Sequence, residues 1–191
     1  GSIKLMDGSN RSGQDERFGL LALRFGAGKN IKHIKVSNVK ISNIFPTPTE
    51  DSYIHQGYGM RFESYNDAEL NYYDGISIDN LDVSLTGHYG VHIVNRMSGA
   101  QADYYHRNIS IINSSFYDTG GSGIVLARSK NILIDNSTFK GTGSTKDSRM
   151  WERGSGLWFY TCNDAIVQNS TFEDAYGVQD SFGAHIDWGN E

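Results

Sequence analysis

A chain of 191 residues with 17 basic against 22 acidic side chains has a formal charge of −5 and a pI near 5.6. It lacks the basic footprint of a nucleic-acid binder, and no apolar run approaches the ~18 residues of a membrane-spanning helix, so neither partner is expected. One cysteine, Cys162, excludes an intrachain disulfide framework.

The first 19 residues read as a lead-in: no signal peptide is legible, and Gly1-Ser2 has the form of a cloning remnant. From residue 20 to 191 the chain reads as one domain in which two motifs alternate. "GAGKN" (26–30) lacks P-loop spacing and is a turn. "IKVSNVKI" (34–41) opens an asparagine-centred series that continues with "ISIDNLDV" (76–83), "ISIINSSF" (109–116), "ILIDNSTF" (132–139) and "AIVQNSTF" (165–172). Interleaved with it are glycine-led runs: "GYGMRFESY" (57–65), "HYGVHIVNR" (88–96), "GSGIVLARS" (121–129), "GSGLWFYTC" (154–162) and "SFGAHIDWG" (181–189). The apolar fraction is only 38 %, but patterning this regular argues against disorder. Asn38, Asn80, Asn113, Asn136 and Asn169 each stand three residues before Val, Ile or Phe. Two short strands, an asparagine, a third strand and a glycine-bearing connection make a unit of 23 residues or more. Such a unit cannot bury its own apolar face, whereas stacked copies bury a continuous interior.

The asparagine spacing and the glycine-led strands resemble the right-handed parallel β-helix of the pectate-lyase-like superfamily. The resemblance runs from about Leu20 to Asn190 and implies an all-β solenoid of about six coils. Each coil would have three strands, with an asparagine ladder at the bend between the second and third. On that reading the sequons at Asn113, Asn136 and Asn169 are ladder positions in a buried bend rather than glycan acceptors. The resemblance also implies a polysaccharide or oligosaccharide partner and an extracellular or periplasmic location. The closing "FGAHIDWGNE" (182–191) reads as the outward strand of a sixth coil that stops before its asparagine turn. The chain is therefore expected to be part of a longer helix, with an uncapped C-terminal coil that invites association.

Period-two alternation along the glycine-led strands sends Met60, Phe62, Val91, Ile93, Ile124, Leu126, Leu157, Phe159, Ala184 and Ile186 inward. The alternate residues form outward columns across the coils: Arg61, His92, Val125, Trp158, His185; then Glu63, Val94, Ala127, Tyr160, Asp187; then Tyr65, Arg96, Ser129, Cys162, Gly189. A bland outer strand carries Thr, Ser, Lys and Val, whereas this one is rich in aromatic and charged groups. Flat aromatics suit sugar rings, and arginine suits carboxylate or sulfate. Segments 45–58, 66–74, 97–107 and 140–154 flank these strands and read as binding walls. Catalytic candidates are Asp187, His185, His92, Arg61 and Tyr65; binding candidates are Trp158, Tyr160, Arg96, Glu63 and Arg128.

Coils lie about 4.8 Å apart, so Glu63 and Asp187, four coils apart, are separated by roughly 19 Å. Paired glycosidase carboxylates need about 5–9.5 Å, so these two are not a pair. The partner of an acidic Asp187 must come from a loop (Asp147, Glu152, Asp174 or Asp180) or from another coil. Aromatic surroundings would raise its pKa, as a general acid requires. A second mechanism places Arg61 and Arg96 on a uronate carboxylate, with His92 or Tyr65 removing the α-proton in β-elimination. A third reading is a glycan-binding or adhesin module without catalysis. No cofactor is expected; the superfamily's lyases often use calcium, but no aspartate cluster with a hard-cation ligand count is present. Cys162 in its outward column reads as a spectator thiol, since no histidine shares its coil.

Overall fold

The computed structural model describes residues 2–4, 18–24, 31–45, 57–64, 72–96 and 104–190. Thirteen strands run through them: β1 (Ser2–Lys4), β2 (Phe18–Arg24), β3 (Ile31–Ile44), β4 (Tyr58–Ser64), β5 (Tyr73–Thr86), β6 (Val91–Asn95), β7 (His106–Ile112), β8 (Ser115–Thr119), β9 (Ile124–Asp135), β10 (Thr138–Lys140), β11 (Leu157–Gln168), β12 (Thr171–Glu173) and β13 (Ala184–Ile186). Every pairing between them is parallel. The chain winds through three stacked sheets, and the glycine-led strands of six successive coils form the first: β2, β4, β6, the start of β9, the start of β11, and β13.

Corners come from residues with positive φ. Asn38, Asn80, Asn113, Asn136 and Asn169 all adopt φ between 46° and 56°, a region that asparagine tolerates better than most residues. They sit at the bend between second and third strands, where the ladder is expected. Asn80 donates to Asn38 and Asn136 to Asn113, both at 2.8 Å, while Asn113 and Asn169 donate instead to Asp79 and Asp135 at 2.9 Å. The rungs therefore mix asparagine with the aspartate that precedes it. The bend is also exposed rather than buried, because its side chains point away from the helix and bond to one another.

The bend between first and second strands needs two left-handed residues. In β9 these are Arg128 (φ 52°) and Asn131 (φ 53°); in β11 they are Thr161 (φ 53°) and Asp164 (φ 54°). A left-handed residue inside a strand breaks the alternation of side chains. Past Thr161 the parity reverses, so Cys162 turns inward into the core at 2 % exposure instead of facing out as simple alternation expects. Its thiol donates to the carbonyl of Leu126 at 3.3 Å, and burial pushes its pKa up to about 11.

The interior holds two coupled columns. Phe116, Phe139 and Phe172, each three residues after a ladder asparagine, stack face to face with centroids 5.0 and 4.8 Å apart. Against them run Gly90, Gly123 and Gly156 at the entry to the first sheet. A Cβ on Gly123 would lie 2.7 Å from both the Gly156 carbonyl oxygen and Phe139 Cδ1. The recurrent glycine is thus a packing requirement: the chain passes too close to the next coil and to the phenylalanine column for any side chain. At the C-terminal end the interior opens into a cavity of about 420 Å³ lined by Phe159, Cys162, Ala165, Val167, Ile186 and Asn190.

Candidate functional site

Strand register reproduces the outward columns. Arg61, His92, Val125, Trp158 and His185 pair in succession, as do Glu63, Val94, Ala127 and Tyr160. Asp187 continues the second column, its N–H donating to the Phe159 carbonyl at 3.0 Å. In the third column, Ser129 and Cys162 have left the face through the reversal at Arg128 and Thr161, and Ser129 pairs with His106 of the second sheet. Tyr65 lies outside the described residues, as do 46–56, 66–71 and 97–103 of the flanking segments. The remaining candidates separate into a covered cluster and an accessible one.

The covered cluster centres on β4 and β6, with Arg96, just past β6, half exposed at its edge. Glu63, 1 % exposed, holds two arginines: Arg61 at 2.8 Å and Arg96, which bonds through Nε to the other carboxylate oxygen. A bridge with one fully buried carboxylate and two guanidiniums is a structural clamp, and breaking one side of it would leave buried charge uncompensated. His92 lies beside it, with its ring stacked on Tyr58 at 5.7 Å. Burial, reinforced by Arg61 and then Arg96, drives its pKa well below the usual histidine value and keeps the imidazole neutral. Its Nδ1 is buried and meets no hydrogen-bond partner. Tyr89 packs edge-on to His92 at 5.1 Å, and burial raises the Tyr89 hydroxyl pKa, so it stays protonated. Outward-facing Val94, Val125 and Ala127 are likewise covered, at 6–7 % exposure.

The accessible cluster belongs to β11 and β13. His185 stacks on Trp158, with centroids 4.7 Å apart and planes at 18°, and Phe182 meets the imidazole edge-on at 5.1 Å. The Trp158 indole N–H donates to Asp187 Oδ2 at 3.1 Å, while the Trp188 backbone N–H takes Oδ1 at 2.8 Å. Both carboxylate oxygens are thereby oriented by neutral donors, with no cation on the group among the described residues. Trp158, Tyr160, His185 and Asp187 are all partly exposed. The expected neighbour relation thus holds for His185 and Trp158, whereas Asp187 reaches diagonally to the indole.

Of the loop acids weighed as partners for Asp187, Asp147 is bound by Arg149 at 2.8 and 2.7 Å, which holds its pKa below the usual range. Asp180 is bound by Arg153 at 2.7 Å, and Asp174 lies 3.9 Å from Lys140. Glu152 alone of the four makes no side-chain ion pair among the described residues. It has φ of 60° and its carbonyl accepts from Val178. Arg128 donates to the Asn95 carbonyl at 2.7 Å. No group of three or more His, Cys, Asp or Glu that could hold a metal occurs among the described residues.

Sequence reasoning passed over Trp151 and His88. Trp151 stacks on His88 at 4.2 Å, which in turn packs on Tyr58 and Tyr89. The stack pins segment 141–156 against the turn two coils before it, aided by the Trp151 N–H bond to the Gly87 carbonyl at 2.9 Å. The residue composition of that segment was the available signal, but a contact across two coils is not encoded in its spacing.

The family model described as "Right handed beta helix region" matches residues 26–190. Among solved structures the chain is similar to the native GH136 lacto-N-biosidase from Eubacterium ramulus, with a TM-score of 0.61 and 15 % identity. That alignment covers 99 % of this chain and 37 % of the other, so this chain spans little more than a third of that enzyme's length, and the likeness is one of fold. A search of curated proteins finds no match. The resemblance to the pectate-lyase-like superfamily therefore holds for the architecture. With parallel register, asparagine bends and a family match over most of its length, the chain belongs to the right-handed β-helix family.

Proposed function

We propose that this β-helix binds a glycan along the outward face of its first sheet and hydrolyses a glycosidic bond at Asp187. The observation that carries the reading is the Trp158–Asp187 contact, with His185 stacked on the same indole at a partly exposed position. Trp158 and His185 offer an apolar surface with polar edges, which suits a sugar ring. Asp187, its carboxylate oriented by two N–H donors, is placed to act as a general base on this face, and Glu152 is the loop acid that would serve with it. A likeness in fold to a glycoside hydrolase supports the same direction. Elimination gains less support, because Arg61 and Arg96 are both engaged by Glu63 and a substrate carboxylate would have to displace it.

The test is to incubate the chain with a panel of oligosaccharides and follow reducing ends together with the ultraviolet absorbance of unsaturated uronates. New reducing ends without that absorbance are expected. Unsaturated products would establish elimination instead, and binding without turnover would leave only a recognition module.

A further inference from the structure

We infer that the glycan taken at this face is neutral, carrying neither carboxylate nor sulfate where it meets the first sheet. The inference rests on the glycan-binding reading above and concerns its substrate class. An acidic glycan needs cations free to meet it, because a buried or half-buried anion left without a partner binds poorly. Among the described residues, the cations on and around this face are largely committed. Arg61 and Arg96 share Glu63, Arg153 is held by Asp180, and Arg149 by Asp147. The lysines of the neighbouring turns are engaged too: Lys146 bonds Asp118 at 2.7 Å and Lys140 bonds Glu173 at 2.8 Å.

Among the described residues Arg128 is an exception, with a backbone carbonyl as its hydrogen-bond acceptor. It is a single, partly buried guanidinium at the bend. Against it stand Asp187 on the face itself and Glu152 in the adjoining segment, neither of them paired with a cation among the described residues. A polyanion approaching this side of the molecule would meet an acidic field on a chain whose net charge is already −5. What the face offers in quantity is ring surface, and rings stack on neutral sugars without requiring charge.

Isothermal titration of the intact chain with neutral and uronate-containing oligosaccharides of equal length tests this. A neutral series member is expected to bind at least about tenfold more tightly than its uronate counterpart, with an affinity that salt hardly alters. Asp180→Asn, which releases the partly exposed Arg153, is expected to narrow that preference by raising uronate affinity several-fold. Glu63→Gln, released at a buried site, serves as a second variant once circular dichroism shows it folded. Uronate binding as tight as neutral binding, weakened by salt and abolished by Arg128→Gln, would overturn the inference and leave the glycan-binding reading intact. Failure of every oligosaccharide to bind would overturn both.

Discussion

Trp158 donates its indole N–H to Asp187 at 3.1 Å, joining residues 29 apart in sequence that sit diagonally on adjacent coils. The bond orients the carboxylate while the same indole carries His185 on its face. Trp158→Phe retains an aromatic surface and removes only the donor. A hydrogen bond to a charged group contributes roughly 1.5–3 kcal/mol, so kcat for glycan cleavage is expected to fall by about ten- to a hundredfold. KM should change less, since the ring remains. Steady-state kinetics on the two proteins check this; a change confined to KM would mean that the indole only binds.

Gly123→Ala is expected to destabilise the fold by about 1–3 kcal/mol, the usual range for overpacking. The new methyl would press on the Gly156 carbonyl oxygen and the Phe139 ring, each 2.7 Å away. Both belong to stacked columns with no room to retreat. Urea unfolding measures the loss. An unchanged midpoint would mean that the coils adjust more freely than their packing indicates.

His92 makes stability pH-dependent. Its pKa in the folded chain lies below the ordinary 6.5 because of burial and the nearby Arg61 and Arg96. The unfolded chain therefore takes up the proton first as pH falls. The stability that neutral His92 contributes is present above about pH 6.5 and is lost below it, with a slope approaching about 1.4 kcal/mol per pH unit for one proton. Thermal unfolding of the native chain and of His92→Phe across that range is expected to show curves that converge as the pH drops. Parallel curves would place the titration elsewhere.

Cys162 is expected to resist an aromatic disulfide reagent at neutral pH and to react fully once the chain is unfolded. The thiol is buried, bonded to carbonyls and raised to about 11. Rapid labelling of the folded chain would return the sulfur to the outer face.

That residue also marks where the sequence ceases to be legible. Columns such as Arg61, His92, Val125, Trp158 and His185 follow from alternation and spacing alone, because register within a stacked coil leaves little choice. The asparagine corners were readable for the same reason, each preceding a stacked apolar residue by three positions. Alternation fails at Arg128 and Thr161, whose left-handed backbone could not be foreseen, since neither residue type favours it. Nor does spacing reveal that Asp79 and Asp135 would supply rungs of the ladder. At the site, the sequence brought His185 to Trp158 and set Asp187 in the column of Tyr160, whereas the bond from the Trp158 indole to Asp187 runs diagonally and was not legible. It could not tell that Glu63 is spent on two arginines, because which outward residues stay open depends on what lies over them.

The most direct test of the central claim compares Asp187→Asn with the native chain on an oligosaccharide that the native chain cleaves. General acid–base catalysis contributes typically 10²- to 10⁴-fold. The account predicts that kcat falls by at least about a hundredfold while the Kd for the same sugar stays within roughly threefold, because binding rests on the aromatic face. Turnover unchanged in Asp187→Asn would contradict it.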